Sequence, residues 1–200
     1  SLVKHPQFNP LELPPAPVRR FSVDEYHRMG EAGLLTENDR VELVEGWIVT
    51  KAVHSPEHDA VVDLAQEALR QRLSAAWRVR VQSAITAQES EPEPDIAVAR
   101  GTGSSYVRRH PGPEDISLVV EVADSSLKFD RHVKGRVYAK AQIPVYWIVN
   151  LVDRQIEVYS DPDASGPGYR SLCTYGREAS VPLAVDGREL APVPVREVLT

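Results

Sequence analysis

The apolar positions fall into short runs of two different periods, which predict helices and strands mixed along the chain. Ser22-Val23-Asp24-Glu25 has the spacing of a capping box, so a helix starts there, and Gly30 and Gly33 punctuate its end. Val41 to Val49 reads as a strand pair turning at Glu45-Gly46. A second helix opens with Ser55 as N-cap, Pro56 at the first helical position and Glu57 in the first turn. Its stripe of Val62, Ala65, Leu69, Leu73 and Ala76 keeps helical spacing and predicts an end near Trp77. Strands are expected from Arg78 to Ala87 and from Pro94 to Ala99, followed by a mobile loop from Gly101 to Glu114. Ile116 to Ala123 is an almost unbroken apolar run, too short for a helix and rich in β-branched residues. It predicts a central strand buried on both faces. Asp130 to Ala141 predicts a basic helix stopped by Pro144, and Val145 to Val149 a further buried strand. Gln155 to Tyr159 is expected to pair with that strand across Asp153-Arg154, and the tail to Thr200 to form short strands or coil.

No repeat or linker divides residues 21–200, so a single domain is expected there. Residues 1–20 hold five of the sixteen prolines without periodicity, which predicts an extended arm. With 42% hydrophobic and 26% charged residues, the 200-residue chain matches an ordinary soluble domain, and no apolar run approaches the ~18 residues of a membrane span. Nor does the start of the sequence show the order of a signal peptide. Cys173 stands alone, which excludes an internal disulfide and a cysteine-built zinc site and makes a cytoplasmic location the expectation. Cys173 is expected to be a packed thiol, and Trp47, Trp77 and Trp147 to be core residues.

A net charge of −6 excludes a coat protein held on nucleic acid by general phosphate neutralisation. It leaves room for an enzyme with a local basic strip and a divalent metal. Lys128, Arg131, Lys134, Arg136 and Lys140 form such a strip, although a solvated helix face is the commoner origin of a charge run. The acids are more informative. Asp95 opens one apolar strand and Glu121 interrupts another, and a carboxylate among Val, Ile and Leu is costly unless it is paired or holds a metal. Two such carboxylates on neighbouring strands can share a hard divalent ion. Alternatively, Asp95 caps a turn and Glu121 pairs with a basic side chain.

Pro94-Asp95 with Glu121 resembles the pattern of the PD-(D/E)XK nuclease superfamily. The order of segments resembles, more narrowly, the Uma-two family of bacterial restriction-endonuclease-like proteins. The matching segments are Glu42-Leu43-Val44-Glu45-Gly46, Pro56-Glu57-His58, Pro94-Asp95-Ile96, Val120 to Ser126, Asp130 to Lys134, and Tyr138 running into Ile143 to Val149, over about residues 21–160. The resemblance implies an α/β, restriction-endonuclease-like domain: a mixed central sheet flanked by helices, with the active site along one sheet edge. It further implies hydrolysis of DNA phosphodiester bonds with Mg²⁺, or Mn²⁺ in its place. The ligands would be Asp95, Glu121 and Glu42, and Lys134 would orient the attacking water or face the phosphate. The superfamily lysine two residues after the glutamate is Ala123 here, so Lys134 on the following helix takes its role. Residues 131, 134 and 138 share a helical face, so Arg131, Lys134 and Tyr138 are expected to point at one site. Asn150 and Asp124 depart from the family pattern, away from these ligands.

Two further motifs lead elsewhere. His54-Ser55-Pro56-Glu57-His58 spells the inverted zinc-protease motif, but Pro56 at the first helical position leaves His54 outside the helix. Ser125-Ser126-Leu127-Lys128 matches S-x-x-K without its companion motifs. DNA is the expected partner and a homodimer the expected assembly, since cutting both strands asks for two active sites. The rival is a catalytically silent relative that keeps the fold as a binding or assembly module. The presence of Glu42, Asp95, Glu121 and Lys134 together favours the enzyme.

Overall fold

The structure is a computed structural model that describes residues 17–200; the expected arm over residues 1–20 lies outside these except for its last four residues. Both predicted caps are present. Ser22 and Glu25 form a reciprocal capping box at the start of α1 (Val23–Glu31). The Ser55 hydroxyl accepts from the His58 N–H at the start of α2 (Pro56–Arg70). Between them β1 (Val41–Val44) and β2 (Trp47–Thr50) form a hairpin. Its turn holds Glu45 at φ 49° and Gly46 at φ 80°, the two positive values that a tight two-residue hairpin requires.

Six strands make the central sheet: β3 (Trp77–Val81), β4 (Ile96–Arg100), β5 (Ile116–Ala123), β6 (Val145–Asn150), β7 (Gln155–Pro162) and β8 (Tyr169–Tyr175), in that spatial order. All neighbours are antiparallel except β5 and β6, which run parallel and are joined by a helical crossover. The sheet is therefore mixed and flanked by helices, as expected. All eight residues of β5 are buried, which explains the unbroken apolar run. Leu118, Val120 and Val122 point into a layer with α2, the hairpin of β9 (Ser180–Val185) and β10 (Arg188–Pro194), and α5 (Val195–Val198). Val119 and Ala123 point into the opposite layer, against the crossover.

That crossover is the basic helix, and it is not uniform. It begins as α3 (Leu127–Phe129), continues through a π-helical turn over Asp130–Lys134, and ends as α4 (Gly135–Lys140). In the wide turn the Gly135 N–H donates to the Asp130 carbonyl, five residues back, and the Tyr146 hydroxyl donates to the same carbonyl at 3.1 Å.

Boundaries differ from expectation around the second helix and the strand that follows it. The second helix stops at Arg70, and Trp77 starts a strand instead of closing the helix. The strand expected to reach Ala87 stops at Val81, because Gln82 takes the left-handed region at φ 45°. The chain then runs irregularly to Asp95, past Pro92 and Pro94, which have no N–H to give a ladder. Cys173 is exposed, not packed, because β8 is the edge of the sheet with a neighbour on one side only, and Leu172 and Thr174 beside it are exposed as well. Trp147 is core, whereas Trp77 and Trp47 are half-buried with the guanidinium groups of Arg100 and Arg20 over their rings.

Candidate active site

Four segments distant in sequence converge where β4 begins and β5 ends. Antiparallel pairing of Ile96 with Val120 sets Asp95 beside Glu121. The Asp95 N–H lies 3.2 Å from Glu121 Oε2, and Asp95 Oδ2 accepts from the Val122 N–H at 2.8 Å. Glu42 comes from β1, which is tied to this region by the Glu91 N–H to Leu43 carbonyl bond of 2.7 Å. Its Oε2 accepts from the Glu93 N–H at 2.9 Å. Lys134 closes the group, with Nζ 2.7 Å from Glu42 Oε2 and 3.2 Å from Glu121 Oε1. The Tyr138 hydroxyl donates to Glu121 Oε1 at 2.6 Å. Glu42, Asp95, Glu121 and Lys134 are all buried.

The electrostatics follow from that burial. Glu121 is pushed up to about 8, first by desolvation and then by the negative charges of Asp95, Asp130 and Glu42, against the pull of Lys134. Asp130, buried behind the site and bonded to Ser126 at 2.6 Å, is pushed up to about 7 in the same way. Burial would lower the Lys134 ammonium, but Glu121 and Glu42 outweigh it and hold the group well above its ordinary value. Desolvation would raise Asp95, but the His58 hydrogen bond and charge, with the Val122 N–H, hold it below the ordinary carboxylate range. Carboxyl groups thus outnumber the single ammonium in this pocket, and all of them offer hard oxygen donors.

All four sequence-derived residues therefore meet, and Glu121 does pair with a basic side chain, Lys134. The other expectations for the basic helix divide. Tyr138 joins Lys134 at Glu121, but Arg131 turns away to Glu157, because the extra residue in the π turn rotates position 131 off the face shared by 134 and 138. Nor is the whole strip a solvated face: Arg131 pairs with Glu157 and Arg136 with Glu45, while Lys128 and Lys140 are exposed, the latter paired with Glu89. Two residues outside the sequence-derived set approach the cluster. His58 Nε2 lies 3.1 Å from Asp95 Oδ2, and the ring of His54 stacks on that of His58 with centroids 4.0 Å apart. The Pro56-Glu57-His58 segment of the family resemblance is the sequence signal for the first; the second has none beyond the protease motif.

Beside the cluster runs a groove of about 1450 Å³, lined among others by Tyr26, Arg40, Lys51, His54, Glu93 and Arg108. Among the described residues no helix is long and apolar enough to cross a membrane.

Comparison with known proteins bears on the family and the fold. The sequence pattern of the Uma2 family, described as "Putative restriction endonuclease", matches residues 23–193. A solved structure described as "a putative nuclease belonging to DUF820 from Anabaena variabilis ATCC 29413" superposes with a TM-score of 0.66. The two are 15% identical, and the match covers 90% of this chain and 97% of the other, a likeness of fold. No curated protein matches the chain.

Proposed function

The chain belongs to the Uma2 family, and on that premise we propose that it is a divalent-metal-dependent endonuclease hydrolysing DNA phosphodiester bonds. The observation that carries the proposal is the meeting of Asp95, Glu121, Glu42 and Lys134 from four separate segments at one end of the sheet. A divalent ion suits the pocket on its chemistry: buried carboxylates outnumber the single ammonium, and Glu121 is raised first by its burial and then by the neighbouring carboxylates. Asp95, Glu121 and Glu42 would hold Mg²⁺, or Mn²⁺ in its place, which when bound supplies Lewis acidity and a water of lowered pKa.

The protein's own groups divide the remaining work. The Val122 N–H and His58 fix one oxygen of Asp95, and Oδ1 accepts no hydrogen bond among the described residues. Tyr138 and the Asp95 N–H orient Glu121 from its two oxygens. Lys134 holds the attacking water or meets the negative phosphate, in the role that a lysine two residues after Glu121 would otherwise play. A closed two-fold homodimer would bring two such centres to the two strands of a duplex. The neighbouring groove is the path proposed for the DNA.

A second reading has an observation of its own. The four side chains are buried and satisfied by one another, as they would be in a silent binding module. Nicking of supercoiled plasmid with Mg²⁺ or Mn²⁺ separates the two. The enzyme requires cleavage that EDTA stops and Asp95→Asn abolishes. A wild-type chain that retards DNA without cutting it, with either ion, establishes the module instead.

A further inference from the structure

The inverted zinc-protease spelling His54-Ser55-Pro56-Glu57-His58 was set aside because His54 precedes the helix. The structure nevertheless brings its two histidines together. Ser55 caps α2, Pro56 starts it, and His58 occupies the first turn. The loop residue His54 folds back so that the two rings stack at 4.0 Å with 22° between their planes. Asp95 faces them from the sheet. One donor atom from each of His54, His58 and Asp95 lies within 4.8 Å of the others.

We propose that His54, His58 and Asp95 form a binding site for a borderline divalent cation of the Mn²⁺, Co²⁺ or Zn²⁺ class, set beside the carboxylate–Lys134 cluster and sharing Asp95 with it. Two imidazoles and one carboxylate suit such ions, whereas Mg²⁺ prefers oxygen donors and keeps its waters. An outer partner is already in place. Asp59 Oδ1 lies 3.3 Å from the Nδ1 atoms of both His54 and His58. A carboxylate on the second ring nitrogen is the usual support of a metal-binding histidine, fixing both its tautomer and its orientation. His54 also lies 3.3 Å from the Gln82 amide, on the residue whose left-handed backbone ends β3. His54 lines the groove, which supplies an entry path.

The glutamate of the motif takes no part. Glu57 is exposed and bonded to Arg154 at 2.5 Å, so the trio lacks the general base of a peptidase and is a cation site only. An ion bound here replaces the proton that His58 shares with Asp95. The inference concerns binding and does not depend on whether the chain cuts DNA.

The test is a titration of the untagged, EDTA-stripped full chain with Co²⁺ in the absence of nucleic acid, read by visible absorption. One Co²⁺ per chain is expected, displaced by Zn²⁺ and not by an equal concentration of Mg²⁺. His54→Phe keeps the ring stack and removes the nitrogen donors. It should weaken Co²⁺ binding roughly 10-fold or more, since even an outer partner of a metal ligand counts on that scale. Glu57→Gln, which alters the motif's glutamate outside the site, should bind Co²⁺ as the wild type does. Zn²⁺ added to wild-type chain labelled with ¹⁵N-histidine gives an answer that needs no variant: the ring nitrogens of His54 and His58 should shift together. Co²⁺ binding by His54→Phe at wild-type strength, displacement by equal Mg²⁺, or unmoved ring signals would overturn the proposal.

Discussion

Lys134→Met tests the central electrostatic argument most directly. Methionine keeps the length of the stem and removes the ammonium that stands 2.7 Å from Glu42 and 3.2 Å from Glu121. What remains is a buried pocket of carboxylates with no cation between them. Breaking a buried ion pair by deleting one partner costs about 3–5 kcal/mol, and here two carboxylates lose their partner at once. The loss has a ceiling, because Glu121, already raised to about 8, can take up a proton in place of the lost charge. A destabilisation of about 3–5 kcal/mol is therefore expected in EDTA at pH 8.5, where Glu121 is mostly ionised in the wild type. At roughly 2–4 °C per kcal/mol for a domain of this size, the melting midpoint should fall by about 6–20 °C. Urea unfolding gives the free energy. Adding Glu121→Gln removes one stranded carboxylate, so the double variant should recover about 1–2 kcal/mol, a coupling typical of residues in contact. Excess Mn²⁺ should also restore part of the loss, because a bound ion takes over the role of the ammonium. A single variant within 1 kcal/mol of the wild type, on the same scale, or a double variant equal to the sum of the singles, would refute the reasoning.

Two further outcomes rest on other parts of the fold. Desolvation would raise Glu157, but the Arg131, Tyr159 and Asn150 hydrogen bonds bring it down to about 2, so its contribution is complete above pH 4.5 and is lost as pH falls toward 2. At about 1.4 kcal/mol per pH unit this comes to about 3.5 kcal/mol, and the partly open Arg131 reduces it to about 1–2. The stability gap between wild type and Glu157→Gln should therefore shrink by that amount between pH 6 and pH 2.5 in urea titrations, and an unchanged gap contradicts the assignment. Gly46→Ala places a Cβ at φ 80° and 2.6 Å from the Arg20 Cβ, so it should cost about 1–3 kcal/mol and release the Phe21 N–H from the Gly46 carbonyl, seen as faster amide exchange at Phe21.

What the sequence made legible was local or strongly patterned. Ser22 with Glu25, Ser55 with Pro56, and Glu45-Gly46 carry their structures within four residues, so caps and turn could be read directly. Ile116 to Ala123 could be placed at the centre because six apolar residues in a run of eight fit a strand covered on both sides, and Glu121 stood out against them. Glu42 and Lys134 needed the family resemblance, since 92 residues separate the partners of their ion pair. Other features depended on tertiary contacts that no window contains. The basic run looked like a solvated face because Glu45, Glu89 and Glu157, which neutralise it, lie in other elements. Gln82 carries no sign of its left-handed backbone. His54 seemed excluded because the helix boundary was right, while the fold-back of the preceding loop was invisible.

The wide turn at Asp130–Lys134 bears on what lengths of chain this fold can tolerate. Each residue advances an α-helix by roughly 100°, so a single surplus residue decides the phase between the two halves of the crossover. Upstream, Asp130 and Val133 are seated in the interior; downstream, Lys134 and Tyr138 reach Glu121. An evenly wound helix one residue shorter could keep only one of these appointments. With the upstream half in place, the ammonium would swing away from the carboxylates; with the downstream half in place, Val133 would leave the core. Loss of one residue here would thus be unlike loss of one residue in a loop, which changes span and leaves rotation alone. The surplus residue lets one rod present two faces that an ordinary screw would set at the wrong angle, and the Tyr146 hydroxyl on the Asp130 carbonyl marks where the thread changes pitch.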